Sequence, residues 1–329
     1  MRILVTGGAG YVGGFAARHL LAAGHDVVVV DNLCTGHREV VPAEVLVVGD
    51  IGDRALLQRV FSEHRIEAVM HFAASAYVGE SVRDPRSYYR NNVANTLTLL
   101  EAMLDQDIKR LVFSSTCAVY AETEQMPLRE DAPQDPVSPY AFSKLAIERM
   151  IRDFSRSYGL DYVLLRYFNA AGASPDGAHG EDHRPETHLL PLALKTVLGQ
   201  QQQLLVFGTD YPTPDGTCIR DYVHVEDLAL AHELALQVIS TGEKSHGGHV
   251  FNIGTGRGHS VMEVLGAVER VTGQPVPFKV TERRPGDTPR LVASSEKIRR
   301  ELGWKPRYEE LDQIAATAWE WHRRQPDGY

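Results

Sequence analysis

The 329-residue chain is poor in cysteine, in positive charge and in long apolar runs. Its three cysteines, Cys34, Cys117 and Cys218, are odd in number and form no CxxC. No disulfide framework or zinc site follows from them, and a reducing cytoplasm fits best. Lys and Arg number 34 against 43 Asp and Glu, a net charge of −9. A nucleic-acid binder needs a basic footprint, so no nucleic-acid partner is expected. A small anionic ligand stays open, because a few placed arginines can hold one. No apolar run approaches the roughly 20 residues that span a bilayer, so no membrane partner is expected. The start, MRILVTGGAG, runs into a strand and a glycine turn rather than a signal-peptide layout. A cytoplasmic location is the expectation.

What is present is a regular alternation. RILVT (2–6), HDVVVVD (25–31), EVLVVGD (44–50), EAVMHFA (67–73), KRLVFSS (109–115) and DYVLLRYF (161–168) read as strands. Helical patterns at 11–23, 53–64, 84–105 and 138–158 separate them. Continuous apolar strands alternating with helices predict an α/β fold, a Rossmann-type doubly wound parallel sheet. After about residue 168 the rhythm breaks into loops rich in Gly, Pro and Asp, with helices predicted at 190–199, 225–240, 260–272, 294–301 and 309–324. The expected organisation is a Rossmann domain over 1–168, to which roughly 216–240 returns, and a smaller C-terminal α/β substrate domain over 169–329.

The turn after the first strand carries Gly7, Gly10 and Gly13 and opens a helix. GxxGxxG is one residue wider than the usual dinucleotide fingerprint but meets the same need. The turn is tight, and the backbone lets a pyrophosphate reach the helix N-terminus. A glycine turn without a ligand would look the same. Asp31, ending the second strand about 20 residues on, tips the balance, since an acid there binds a ribose 2′-OH and repels a 2′-phosphate. The expected cofactor is NAD. Asp50 and Ile51, and then Phe72, Ala73 and Ala74, sit at later strand ends, where a ligand lies in this architecture.

Tyr140 and Lys144 are spaced i, i+4 and so share one helix face. Ser114, Ser115 and Thr116 end the strand before them. A free tyrosine has a pKa near 10, so only about 0.1% is phenolate at pH 7. An adjacent ammonium and a positive nicotinamide are expected to lower it, making Tyr140 a base for a hydroxyl proton.

These residues resemble the extended short-chain dehydrogenase/reductases, and within them the UDP-glucose (UDP-galactose) 4-epimerase family. The matches include VTGGAGYVG (5–13), DNLCTG (31–36), VGESVRDPRSYYRNNV (78–93), SPYAFSK (138–144) and LRYFNAAGA (165–173). FGTDYPTPDGTCIRDYVHVEDLA (207–229), FNIGTG (251–256), RRPGD (283–287) and LGWKP (302–306) continue them. The resemblance implies interconversion of UDP-glucose and UDP-galactose by transient oxidation at hexose C4. Tyr140 takes the 4-OH proton, Thr116 bonds the same oxygen, and Lys144 holds the nicotinamide ribose. It adds Tyr11, Val12, Asn32, Asn91, Ser114 and Tyr167 to the cofactor contacts. It assigns Asn169, His188, Leu189, Val206, Phe207, Arg220, Tyr222, Arg284 and Asp287 to the UDP-hexose. It also implies a homodimer through the helices at 84–105 and 138–158.

Departures from the family pattern sharpen the picture. His188 stands where asparagine is frequent. Leu291 stands where a bulky tyrosine can close the pocket around the sugar C2 substituent, so activity on UDP-GlcNAc and UDP-GalNAc is an expectation. His179, His183 and His188 lie near Glu181, Asp182 and Glu186, but their spacing matches no standard ligand pattern, and no metal is expected. Arg220 has an alternative as the partner of Asp221 or Asp227. Related dehydratases need an acid after the Ser/Thr, and Cys117-Ala118 supplies none. A pentose or uronate 4-epimerase would use the same catalytic residues, and a non-catalytic NAD-sensing regulator is the reading from another class.

Overall fold

The computed structural model of the chain describes residues 1–240, 247–284 and 287–329. The Pro-Gly centre of RRPGD lies outside the described residues.

The first half is β1 (Arg2–Thr6), α1 (Tyr11–Ala22), β2 (Asp26–Asp31), β3 (Leu46–Val48), α2 (Arg54–His64) and β4 (Ala68–His71). Next come α3 (Val78–Arg83), α4 (Pro85–Tyr88), α5 (Asn95–Asp105), β5 (Arg110–Thr116), α6 (Pro139–Tyr158) and β6 (Asp161–Tyr167). The second half opens with β7 (Asn169–Ala171), α7 (Leu189–Val197), β8 (Leu204–Phe207), β9 (Ile219–His224), α8 (Val225–Ser240) and β10 (Gly248–Ile253). It closes with β11 (Gly258–Ser260), α9 (Val261–Thr272), β12 (Phe278–Thr281), β13 (Arg290–Leu291), α10 (Glu296–Leu302) and α11 (Leu311–Arg324).

Seven parallel strands form the main sheet in the order β10-β6-β5-β4-β1-β2-β3. Its strands are apolar throughout because both faces are covered. Ile3, Val5, Val27 and Val29 face one way, onto Ala17 and Leu20 of α1 and Leu228 and Ala235 of α8. Their neighbours Leu4, Val28 and Val30 face the other way, onto Leu57, Leu99 and Ile147 of α2, α5 and α6. The strand order reverses between β1 and β4, which opens a crevice beyond their C-terminal ends.

The sheet also takes in β10, which the broken rhythm after residue 168 concealed. The stretch that returns to this layer is therefore α8, packed on α1, followed by β10, whereas β9 belongs to a smaller sheet. That sheet runs β11-β9-β13, with β7 also paired to β9, and β8 pairs with β12 separately. Helices α7, α9 and α11 share a core with Val206 and Tyr222.

The helix expected over 84–105 is not a single α-helix. A π-helical stretch, Tyr89–Ala94, joins α4 to α5. The wider turn carries Asn92 inward, where Nδ2 donates to the Ser75 carbonyl and to Ser143 Oγ, each at 3.0 Å. The helix α3 before it was not expected. The third strand is shorter than predicted, because Ala43–Val45 forms a 3-10 turn before it and Asp50 and Ile51 lie in the loop beyond.

Candidate active site

The Ser138 hydroxyl caps α6 by accepting from the Ala141 N–H, and Pro139 presets its first turn. Tyr140 and Lys144 consequently sit one turn apart beside the end of β5. Lys144 is buried, and its Nζ donates to the Ser114 carbonyl at 2.9 Å. Burial lowers its pKa to about 7, against which Glu148 pulls upward. The Ser114 and Tyr167 hydroxyls bond each other at 2.8 Å.

Burial raises the Tyr140 phenol well above the ordinary tyrosine range, Tyr167 adds to the rise, and a hydrogen bond with the Thr116 side chain opposes it. The protein's own groups thus do the reverse of the lowering expected from the Tyr140/Lys144 spacing. Lys144 directs its hydrogen bond to the Ser114 carbonyl, and desolvation is the largest influence on the phenol. Thr116 Oγ1 accepts from the Ala118 N–H at 3.2 Å, which leaves the hydroxyl proton available. The turn that follows, Cys117–Val119, holds no carboxylate. Burial pushes the Cys117 thiol up to about 12, so it is no nucleophile.

Behind the strand end lies an ion pair that the sequence patterns did not reveal. Arg166 and Glu148, both fully buried, meet through Nε to Oε1 at 2.8 Å and Nη2 to Oε2 at 2.6 Å. Ser115 Oγ also donates to Glu148 at 2.7 Å, and Arg166 reaches the Tyr120 hydroxyl at 3.0 Å. The pair locks α6 to β5 and β6. Its only sequence signals were an arginine inside an apolar strand and a glutamate four residues after Lys144.

The glycine turn meets the demands of a dinucleotide. Gly7 has φ +72°, and a Cβ there would lie 2.6 Å from the Ala73 nitrogen. A Cβ on Gly13 would lie 2.2 Å from the Gly7 carbonyl oxygen. Gly10 caps α1 without a side chain, so no side chain occupies the first helical amides. Asp31 accepts from the Ala9 N–H at 3.0 Å and the Leu33 N–H at 2.8 Å. Burial raises its pKa and these two bonds pull it back. Asn32 donates to Asp50 at 2.9 Å, and Asp50 also accepts from the Gly52 N–H and Asn95. Phe72, Ala73 and Ala74 follow β4 beside the turn, and Asn91 donates to Ser75 Oγ at 3.0 Å. Tyr11 reaches across to the Gly172 carbonyl at 2.6 Å, with Val12 packed beneath. Ile51 is buried in the core, which leaves its backbone as the contact surface.

On the opposite wall, Arg220 Nη1 donates to the Thr288 carbonyl at 2.9 Å and Nη2 to Asp287 at 3.1 Å. It pairs with neither Asp221 nor Asp227. Asp221 is taken by the backbone N–H groups of Thr255, Gly256 and Ala293, and Asp227 by those of Arg307 and Tyr308. Arg284 is exposed and lies over the Phe207 ring at 4.1 Å. Leu291 pairs in register with Arg220 and packs in the cluster containing Cys117 and Phe168. The two walls therefore meet beside Thr116. Asn169 pairs with Tyr222 in register. Val206 and Tyr222 bury their side chains in the core. Leu189 opens α7, and His188, just before it, directs Nδ1 at Glu181 and Glu186.

Residues 3–254 match the model of the NAD dependent epimerase/dehydratase family. The UDP-glucose 4-epimerase of Lacticaseibacillus casei is 51% identical over 330 residues, covering 100% of this chain and 99% of its own. A crystal structure of a UDP-glucose 4-epimerase superposes with a TM-score of 0.96 at 48% identity, covering 100% and 99% of the two chains. The Bifidobacterium longum UDP-glucose 4-epimerase in complex with NAD+ and UDP superposes with a TM-score of 0.93 at 38% identity over 100% of both.

Proposed function

The chain belongs to the NAD dependent epimerase/dehydratase family, and from that premise we propose that it interconverts UDP-glucose and UDP-galactose by transient oxidation at hexose C4. The observation that carries the reading is the meeting of Tyr140 and Thr116 where the following turn offers no carboxylate. Hydroxyl deprotonation is served there, and elimination of water is not.

NAD, when bound, supplies the acceptor for a hydride and the means to return it. Gly7, Gly10 and Gly13 admit its pyrophosphate, with Tyr11 and Val12 at the helix start. Asp31, flanked by Asn32 and Asp50, holds the adenosine ribose. Phe72, Ala73, Ala74, Asn91, Ser114 and Tyr167 line the remaining path, and Lys144 offers its ammonium to the nicotinamide ribose. Tyr140 takes the O4 proton and returns it, while Thr116 donates to the same oxygen. A positive ring nearby opposes the desolvation that raises the phenol. Arg220 and Arg284 hold the diphosphate by charge-assisted bonds. Asp287 orients Arg220, and Asn169, His188, Leu189, Val206, Phe207 and Tyr222 complete the wall. Anchoring through UDP leaves the hexose free to turn, so that either face of C4 can be presented.

Leu291 favours an extension of this reading. A short aliphatic side chain beside Arg220 and Cys117 leaves room at the sugar, so UDP-GlcNAc and UDP-GalNAc are proposed as further substrates. A homodimer is proposed through α3 to α6, where Val78, Val82, Tyr89, Leu97 and Phe142 are exposed and the Tyr89 and Phe142 rings meet edge to face at 6.1 Å. A cytoplasmic site of action fits three cysteines that are all free. Among the described residues no helix is long and apolar enough to cross a membrane.

A panel of UDP-hexoses, UDP-pentoses and UDP-uronates run with wild type and Tyr140→Phe tests the proposal. Wild type should turn over UDP-glucose and UDP-galactose and develop an NADH-like absorbance band with UDP-hexose. Tyr140→Phe should lose about 10²–10⁴-fold in kcat. Near-wild-type activity in the variant overturns the mechanism, and turnover confined to pentoses or uronates overturns the substrate.

A further inference from the structure

The segment between β7 and α7 gathers four side chains in a way that hydride and proton transfer at C4 does not require. Glu181, His183, Glu186 and His188 each turn a donor atom inward, and the four atoms lie within 4.8 Å of one another. His183 Nδ1 is 2.9 Å from Glu181 Oε1 and 3.8 Å from Glu186 Oε2. His188 Nδ1 is 2.7 Å from Glu181 Oε1 and 2.9 Å from Glu186 Oε1. Bonds of about 2.0–2.1 Å to a tetrahedral ion set donor-to-donor edges of about 3.3 Å. The observed spans of 2.7 to 3.8 Å straddle that value, so side-chain adjustment within the cluster can bring one donor from each residue onto one ion.

A second observation points the same way. The Glu186 side chain is 3% exposed and its Oε2 is buried without a hydrogen-bond partner. A buried carboxylate oxygen without a hydrogen bond is costly, the His183 nitrogen at 3.8 Å is too far to supply one, and an ion between them would satisfy it. The Tyr11 and Tyr77 rings stand edge-on to His183 at 6.3 and 6.0 Å and shield one side of the cluster.

We propose that Glu181, His183, Glu186 and His188 form a closed tetrahedral site for a divalent ion of the zinc class, tying the segment over 172–188 to the start of α7. Two imidazole nitrogens with two carboxylate oxygens suit zinc better than magnesium or calcium, which take all-oxygen shells. Four protein ligands with no open position make the site structural rather than catalytic. The competing occupant is a pair of protons. Without metal the imidazoles ion-pair with the two glutamates, and a divalent ion displaces two protons. The exchange conserves charge, two positive for two positive, so it leaves no uncompensated buried glutamate. The role is separate from hydride transfer, and Tyr140, Thr116 and Lys144 take no part in it.

The test uses the NAD-loaded enzyme stripped with a strong chelator and titrated with Zn2+ alone by calorimetry and with Co2+ alone by visible absorbance. One ion per chain should bind, Co2+ should give the intense visible bands of a tetrahedral centre, and His183→Gln should weaken Zn2+ binding by at least about 100-fold. Glu186→Gln serves as the second variant if His183→Gln fails to fold, and folding is checked by circular dichroism. Absence of saturable uptake by wild type, a weak octahedral Co2+ spectrum, or uptake that a folded variant leaves unchanged each overturns the proposal. None of these readouts depends on the epimerase assay.

Discussion

Lys144 donates from Nζ to the Ser114 carbonyl at 2.9 Å, and this is its one hydrogen bond to protein among the described residues. An ammonium carries three donors, so two remain for a ligand. On the proposed reading, Lys144 uses them to hold the cofactor ribose rather than to tune Tyr140 directly. Lys144→Met should therefore purify with markedly less NAD and lose at least about 100-fold in kcat, at the low end of acid–base effects. Full NAD content together with an activity loss would instead assign Lys144 to the proton step. Absorbance of released cofactor beside the epimerase rate separates the two.

Arg220 bonds Asp287 across 67 residues of sequence, and the arginine is the more buried of the two. A diphosphate ligand makes Arg220→Met more harmful than loss of its orienting partner. Truncating one member of a buried charged contact costs about 2 kcal/mol or more, a factor of about 30. Arg220→Met should raise KM for UDP-sugars by that factor with a smaller change in kcat, and Asp287→Asn should raise it less. Equal effects in steady-state kinetics would reduce Arg220 to a structural partner of Asp287.

Leu291 packs beside Cys117, one residue from Thr116. Leu291→Tyr should abolish turnover of UDP-GlcNAc while leaving UDP-glucose within a few-fold of wild type. The ratio of kcat/KM for the two substrates is the measurement. No UDP-GlcNAc turnover by wild type would remove Leu291 as a gate.

His232 lies wholly buried against Phe72, with Nδ1 bonded to the Leu228 carbonyl at 2.8 Å and Nε2 without a partner. Burial lowers its pKa to about 4. Below pH 6.5 the unfolded chain takes up a proton that the folded chain refuses. Stability from the neutral ring is complete above pH 6.5 and is lost as the pH falls towards 4, by at most about 3 kcal/mol. Between pH 6.5 and 5, wild type should lose about 2 kcal/mol more than His232→Leu in urea unfolding. Parallel pH curves for the two proteins would contradict this.

Tyr140, Lys144, Gly7 and Asp31 were legible because their signals are local. A helix places i and i+4 on one face, and a glycine turn between strand and helix has few other uses. Arg166 and Glu148 were not legible, since nothing in either segment says that a buried charge has its partner 18 residues away. The gathering of Glu181, His183, Glu186 and His188 was not legible for a related reason. On a helix their spacing would scatter the donors, whereas the irregular path before α7 folds them together. The π-helical turn at Tyr89–Ala94 also escaped, because an inserted residue leaves the apolar period nearly intact.

The order of strands and helices, the parallel sheet and the crevice at the β1–β4 reversal were thus determined by the sequence itself, through apolar periodicity and the fixed hand of β-α-β crossovers. Only the tertiary structure decided that β10 completes the sheet, that Arg220 turns to Asp287 rather than to its own neighbours, and that burial raises Tyr140. Those outcomes depend on desolvation and on contacts between residues far apart in the chain, and neither quantity exists until the chain has packed.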